Sequence, residues 1–235
     1  MQYPLPLQPG RLIKRYKRFL ADIELDNGHE VTVHCPNTGS MRNCAEPGSR
    51  VWVWDSGNAK RKYPMTWELV EVEQRHLACI NTARANSLVA EAITAGVIPA
   101  LAGYAKLRRE VPDGEQSRID FLLQDPHKGQ IWVEVKNVTL LERDGWGSFP
   151  DAVTTRGARH LRALQQRVEE GDRAVLLFCV AHQGIERVRP ADQIDPGYGR
   201  LLRQVVAAGV EVLAYRARIS QQSILLQDPL PVILD

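Results

Sequence analysis

Residues Ala174 to Ala181 form an unbroken apolar run of eight residues, AVLLFCVA. The run is too short to cross a bilayer, which takes about 20 residues of helix. It is too continuously apolar for a strand with one wet face, where polar residues would alternate. A strand over 173–181 covered on both faces meets both conditions, and it implies a sheet with helices on each side. The flanking sequence agrees. A helix is predicted over 156–170, stopped by Gly171, and another over 195–208, stopped by Gly209, before a strand over 210–218.

Upstream, residues 81–95 are rich in Ala and Leu, with Leu88, Ala92 and Ala95 on one helical face and Gly96 as a stop. Strands are predicted over 103–111, 117–124 and 130–139. The order α-β-β-β-α-β-α-β suits a mixed sheet flanked by helices. Before residue 81 the pattern is different. Residues 20–25 and 29–34 alternate around the turn Asp26-Asn27-Gly28, which predicts a hairpin. Val51 to Trp54 and Thr66 to Glu73 read as further strands, the second with Trp67, Leu69 and Glu71 on one side. Short strands at close spacing suggest a small β-barrel or sandwich. The chain thus divides into residues 1–83, a small β domain, and residues 84–235, a mixed α/β domain.

The chain has 235 residues, 44% hydrophobic and 25% charged, which excludes a disordered chain, a fibre and a disulfide-stapled mini-protein. It shows no membrane span and no secretory signal at its N-terminus. Cys35, Cys44, Cys79 and Cys179 are scattered without a C-x-x-C pair, which argues against zinc or a disulfide framework and for a reducing cytoplasm. The pattern sets no oligomeric state. Net charge is only +2, but positive charge gathers near the N-terminus, at Arg11, Lys14, Arg15, Lys17 and Arg18, and again at Lys60-Arg61-Lys62. Tyr16 and Phe19 sit in the first cluster, and Tyr63 follows the second, ahead of Pro64. Cations interleaved with aromatics suit a single nucleic-acid strand. Arg15, Lys17, Arg18, Lys60, Arg61, Lys62 and Tyr63 are the candidate contacts, with Tyr63 as an exposed stacking residue. A solvated basic face is the competing reading. At least two of Trp52, Trp54 and Trp67 are expected in the core.

The chemistry concentrates in Ser117-Arg118-Ile119-Asp120-Phe121-Leu122-Leu123, a turn through Asp125 to Gly129, and Ile131-Trp132-Val133-Glu134-Val135-Lys136. Strand alternation puts Ile119, Phe121 and Leu123 on one face and Asp120 on the other. Val133 and Val135 point to the core, and Glu134 and Lys136 share the opposite face. A hairpin can therefore gather Asp120, Glu134 and Lys136. Two adjacent carboxylates repel and raise each other's pKa, and a hard divalent cation relieves that repulsion. Asp120, Glu134 and the carbonyl of Val135 are the predicted ligands of Mg2+ or Mn2+, with Lys136 as the catalytic lysine beside a phosphodiester. A solvated Glu134–Lys136 surface pair is the plain alternative. Thr154 to His160 opens the following helix. Thr155 could cap it, and Arg156, Arg159 and His160 lie within about one turn, which suits a phosphate. Asp151 falls near the same site. His34-Cys35-Pro36-Asn37-Thr38-Gly39 reads as a structural or ligand-lining loop.

The acid–hairpin–Glu-x-Lys arrangement resembles the PD-(D/E)XK nuclease-like superfamily, although Ile119 stands where that pattern has proline. The resemblance implies a further acid from the first helix. Glu91 fits that place, and a helix-surface glutamate is its plain reading. A broader resemblance covers nearly the whole chain: RYKRFLAD (15–22), HCPNTGSM (34–41), KRKYPMTWEL (60–69), NTARAN (81–86), SRIDFLL (117–123), VEVKNVTL (133–140), FPDAVTTRGARHL (149–161) and GVEVLAY (209–215) are similar to the sugar fermentation stimulation protein family. That resemblance implies an N-terminal OB-fold, a C-terminal nuclease-like domain, and sequence-non-specific DNA binding with a regulatory link to sugar (maltose) metabolism. A metal-dependent nuclease and a sugar-pathway interaction factor are the two alternatives.

Overall fold

In the computed structural model, which describes residues 1–3, 6–58, 60–114 and 117–235, six strands come first: β1 (Gln8–Tyr16), β2 (Leu20–Leu25), β3 (Glu30–His34), β4 (Arg50–Asp55), β5 (Met65–Val72) and β6 (His76–Cys79). They pair in the order β3-β2-β1-β4-β5-β6. β3 also meets β5 in parallel at His34 and Thr66, which closes β1 to β5 into a barrel. Closure leaves no free sheet edge among those five. Leu12, Ile23, Val33, Val51, Val53 and Trp67 fill its interior. The predicted 20–25/29–34 hairpin forms as β2 and β3. β1 was hidden in the sequence because Arg11, Lys14 and Arg15 mask its apolar face and a bulge between Leu12 and Lys14 breaks its period. Gly10 has a packing reason there: a Cβ would lie 2.5 Å from the Glu24 carbonyl oxygen.

β5 departs from the expected one-faced alternation. Its register slips opposite Trp52 and Val53, so Trp67 points into the barrel while Leu69 joins the core of the second region. Both faces of β5 are covered, and Glu68 is fully buried within it.

The rest of the chain comprises α1 (Arg84–Thr94), β7 (Lys106–Asp113), β8 (Ser117–Asp125), β9 (Gly129–Val138), β10 (Leu140–Leu141), β11 (Trp146–Phe149), α2 (Thr155–Glu169), β12 (Arg173–Val180), β13 (Arg187–Pro190), α3 (Pro196–Ala207), β14 (Glu211–Ile219) and β15 (Ile224–Leu230). The main sheet has the order β15-β14-β12-β9-β8-β7. β9, β12 and β14 run parallel, and the outer strands are antiparallel. β12 lies inside it, buried on both faces as the apolar run requires. Val175, Leu177 and Cys179 pack toward α1 and the barrel wall, and Ala174, Leu176, Phe178 and Val180 pack toward α2 and α3. Burying such a side chain fully is worth roughly 1.5–3 kcal/mol. The core on the α1 side also takes in Trp52 and Leu69 of the barrel and Cys79 of β6. β6 continues the contact, with the Cys79 N–H donating to Ala181 (2.8 Å) and the Gln183 N–H to Leu77 (3.0 Å).

Two features had no clear local signal. β10, β11 and β13 form a small third sheet from pieces too short to show a period. β15 carries Pro229, tolerated because the strand lies on the sheet edge. All four cysteines are buried free thiols, and burial pushes the Cys44 and Cys179 thiols up to about 12. Among the described residues no helix is long and apolar enough to cross a membrane.

Candidate active site

The β8–β9 ladder runs from Asp125–Gly129 up to Phe121–Val133 and then opens. At the opening, Asp120 Oδ2 accepts the Val135 N–H at 2.7 Å, so a carboxylate replaces the next backbone partner. This interrupts the pleat. Ile119 consequently packs with Leu122 and Trp132, and not with Phe121 and Leu123 as alternation predicted. Asp120 Oδ1 accepts from Asn86 Nδ2 at 2.8 Å. Burial first, then the nearby Glu134 charge, push the Asp120 carboxyl above its usual range, against the bonds from Val135 and Asn86.

Glu134 and Lys136 do share the opposite face of β9. Glu134 is 2% exposed. Lys136 Nζ donates to Glu134 Oε1 at 2.6 Å and lies 3.0 Å from His160 Nδ1. His160 Nδ1 also contacts Glu134 Oε1. Arg156 Nε donates to His160 Nε2 at 3.4 Å, which leaves the Nδ1 proton for the glutamate. Burial opposes ionisation of Glu134, but the hydrogen bond from His160 and the Lys136 charge outweigh it and hold the carboxyl below its usual range. Glu134 Oε2 is buried with no hydrogen-bond partner among the described residues, as is the nearby Tyr198 hydroxyl.

Helix capping puts His160 there. Thr154 caps α2, its Oγ1 accepting the Gly157 N–H at 2.9 Å; the cap falls one residue before the predicted Thr155. Asp195 caps α3 through the Tyr198 N–H and also accepts the Thr154 N–H, both at 2.9 Å. One buried carboxylate thus ties the starts of both helices together and fixes the rotation of α2. Each charged or hydroxyl cap of this kind is worth about 1 kcal/mol.

Several predicted residues lie elsewhere. Glu91 is 51% exposed and pairs with the Met1 amine at 2.7 Å. Asn86, five residues earlier and about 140° around the helix, faces Asp120 in its place. A polar residue in the first turn of α1 is the available signal, although it carries no charge. Asp151 does lie near the start of α2, lining a cleft with Arg156, and its Oδ2 also holds a barrel loop, accepting from Ser40 N (2.8 Å), Ser40 Oγ (3.1 Å) and Met41 N (3.4 Å). A Cβ on Gly39 would collide with it. The 37–39 loop then lines a cleft of about 370 Å³ together with Thr82, Asn137 and Arg156, next to the Glu134 cluster.

The basic candidates also divide. Arg15 spends its guanidinium on the carbonyls of Arg18, Asn37 and Gly39 at 2.8–2.9 Å, and Arg18 Nε donates to Thr38 at 2.9 Å. Both are loop staples, because backbone carbonyls there lack strand partners. Lys17, Lys60 and Lys62 are exposed, and Arg61 is half-buried with NH2 3.4 Å from Thr66 Oγ1. Tyr63 is half-buried beneath Lys62, not the exposed platform predicted; Phe19, 46% exposed, is the open aromatic. Trp52 and Trp67 are core residues, and Trp54 lies half-buried under Arg84.

Among the described residues no group of three or more His, Cys, Asp or Glu is placed to hold a metal. Any cation here would therefore lean on Asp120, Glu134, a backbone carbonyl and water, which suits hard ions.

The family model described as "Sugar fermentation stimulation protein RE domain" matches residues 83–223, and that described as "SfsA N-terminal OB domain" matches residues 13–80. The sugar fermentation stimulation protein homolog of Pseudomonas putida is 57% identical over 232 residues, covering 98% of each chain. That of Aeromonas hydrophila is 54% identical over 235 residues, covering 98% of this chain and 95% of its own. The structure of Pyrococcus furiosus SfsA in complex with Ca2+ superposes with a TM-score of 0.88 at 27% identity, over 99% of this chain and 98% of that one. This chain belongs to the sugar fermentation stimulation protein family.

Proposed function

We propose that the protein binds DNA in the cytoplasm and hydrolyses phosphodiester bonds with a divalent cation, Mg2+ or Mn2+. The observation that carries this reading is the orphaned Oε2 of Glu134, buried beside Asp120, Lys136 and His160. A buried, unpartnered carboxylate oxygen costs stability unless something fills its place. The residues fit a cation: Asp120 is pushed up partly by the Glu134 charge, and a positive ion would relieve that repulsion. Asp120, Glu134 and the Val135 carbonyl would hold it. When bound, it would polarise a phosphoryl oxygen and lower the pKa of its water. The archaeal relative described as a Ca2+ complex supports a hard-ion site, since calcium takes oxygen ligands.

The remaining work falls to the chain's own groups. Lys136, held by Glu134 and close to His160, offers a fixed cation to an equatorial phosphate oxygen. His160 positions both. A regulatory effect on sugar metabolism would follow from DNA binding. The test is incubation of labelled DNA and RNA with Mg2+, Mn2+ or EDTA, with Glu134→Ala and Lys136→Ala alongside. Metal-dependent cleavage lost in both variants supports the nuclease. Binding without cleavage on every substrate overturns it in favour of DNA-bound regulation.

A further inference from the structure

α2 carries its charge against its own dipole. A helix favours acids at its N-terminus and cations at its C-terminus. α2 has no acid in its first turn and instead presents Arg156, Arg159 and Arg162 in its first half, while Glu169 and Glu170 outnumber Arg167 at the other end. Its acids are engaged locally, with Gln165 bonding Glu169, and Gln166 and Arg167 bonding Glu170. Local rules broken without a structural return point to function.

The three arginines follow the i, i+3 ridge of the helix. Arg156 lines the cleft beside the Glu134 cluster. Arg162 lines a groove between α2 and α3, of about 380 Å³, with Arg200 on the opposite wall. Arg159 lies between them and is exposed, as are Arg162 and Arg200. Among the described residues, Arg159, Arg162 and Arg200 make no ion pair or side-chain hydrogen bond. The groove's one acid, Asp195, is committed to the Thr154 and Tyr198 amides. Asp192 is taken by Arg203. On the barrel, Arg15 and Arg18 are held by loop carbonyls, and the exposed cations Lys17, Lys60 and Lys62 lie outside both the cleft and the groove.

We propose that this ridge, Arg159 and Arg162 with the facing Arg200, grips the phosphate backbone of bound nucleic acid and leads it past Arg156 to the Glu134–Lys136 site. Arg156 to Arg162 spans about 9 Å of helix, longer than one phosphate-to-phosphate step of a strand. The proposal rests on the reading of that site as one that acts on phosphodiesters.

The test measures fluorescence anisotropy of a short labelled DNA duplex and of the single strand, in EDTA, between about 50 and 200 mM salt. The parent is compared with Arg159→Gln/Arg162→Gln/Arg200→Gln and with Lys17→Gln/Lys60→Gln/Lys62→Gln, with melting curves to confirm folding. The ridge variant should lose at least about tenfold in affinity at the lower salt. Its slope of log K against log salt should flatten by about 0.9 per arginine on duplex or about 0.7 on single strand. The barrel variant should change less. A parent that binds, with an unchanged slope in a folded ridge variant, overturns the ridge; cleavage by that parent in Mg2+ would still uphold the active site. A flattened slope with no cleavage in Mg2+ supports the ridge and overturns the nuclease. A parent that binds neither form overturns both.

Discussion

Two glutamates, Glu68 and Glu134, are both buried in mid-strand, one in the barrel and one in the mixed sheet. Glu68 is 0% exposed and fully partnered: Arg84 NH2 and Asn81 Nδ2 donate to Oε1 at 2.8 Å, and Arg84 Nε to Oε2 at 3.1 Å. Arg84 in turn lies over the Tyr3 and Trp54 rings. That is a closed structural device, locking β5 of the barrel to the start of α1. Glu134 is nearly as deep, but both of its partners, Lys136 and His160, crowd Oε1 while Oε2 has none. Near-equal burial with unequal satisfaction separates a carboxylate that holds the fold from one that keeps an oxygen free for the proposed cation.

The sharpest way to break this comparison is to change each glutamate. Glu134→Gln and Lys136→Ala should each cut metal-dependent cleavage by about 10²–10³-fold or more, the scale of losing one positioned transition-state group. Glu134→Gln should lower the urea midpoint less than Glu68→Ala does, because the amide oxygen still accepts from Lys136 although the lysine loses its counter-charge. Glu68→Ala should do the reverse. It strands a half-buried Arg84, and chemical unfolding should show a loss of about 3–5 kcal/mol. An equal stability loss in the two glutamate variants would erase the distinction.

A third buried ionisable group sharpens it through pH. His182 is fully buried beside His76, and burial followed by the His76 charge pushes it down to about 4 from 6.5. The unfolded chain binds a proton that the native state refuses, so stability rises with pH across this window. It is fully present above about pH 6.5 and falls by about 3 kcal/mol as pH drops through 4. His182→Gln should flatten the stability profile between those values. Asp151→Asn gives the smallest effect, about 1 kcal/mol from weakened bonds to Ser40 and Met41. The cleft would loosen with them, and KM should rise more than kcat falls.

The grouping of the candidate site residues was legible locally. That Asp120 comes close to Glu134 and Lys136 follows from a short turn, and that Glu134 and Lys136 share a face follows from strand alternation, both near-neighbour properties. The capping residue of α2 was missed by one position, since Thr154 and Thr155 are alike in sequence and only the backbone chooses between them. Asn86 gives little signal, because an uncharged amide on a helix is ordinary in sequence and only its partner Asp120 marks it. Arg15 and Arg18 looked like free cations because the carbonyls they serve, at residues 37–39, come from a loop about twenty residues away.

By itself the sequence determined the doubly covered β12, the hairpin β2–β3, the helices α1 to α3 and the Asp–Glu-x-Lys set. Periodicity and turn chemistry act within one element and its neighbours, so they are written locally. Only the tertiary structure decided that the β8–β9 ladder opens at Asp120, that His160 falls against Glu134, and that a barrel loop lines the cleft beside them. Those outcomes depend on where distant surfaces meet, and a polar side chain's role is settled by which partners remain within reach once the core has closed.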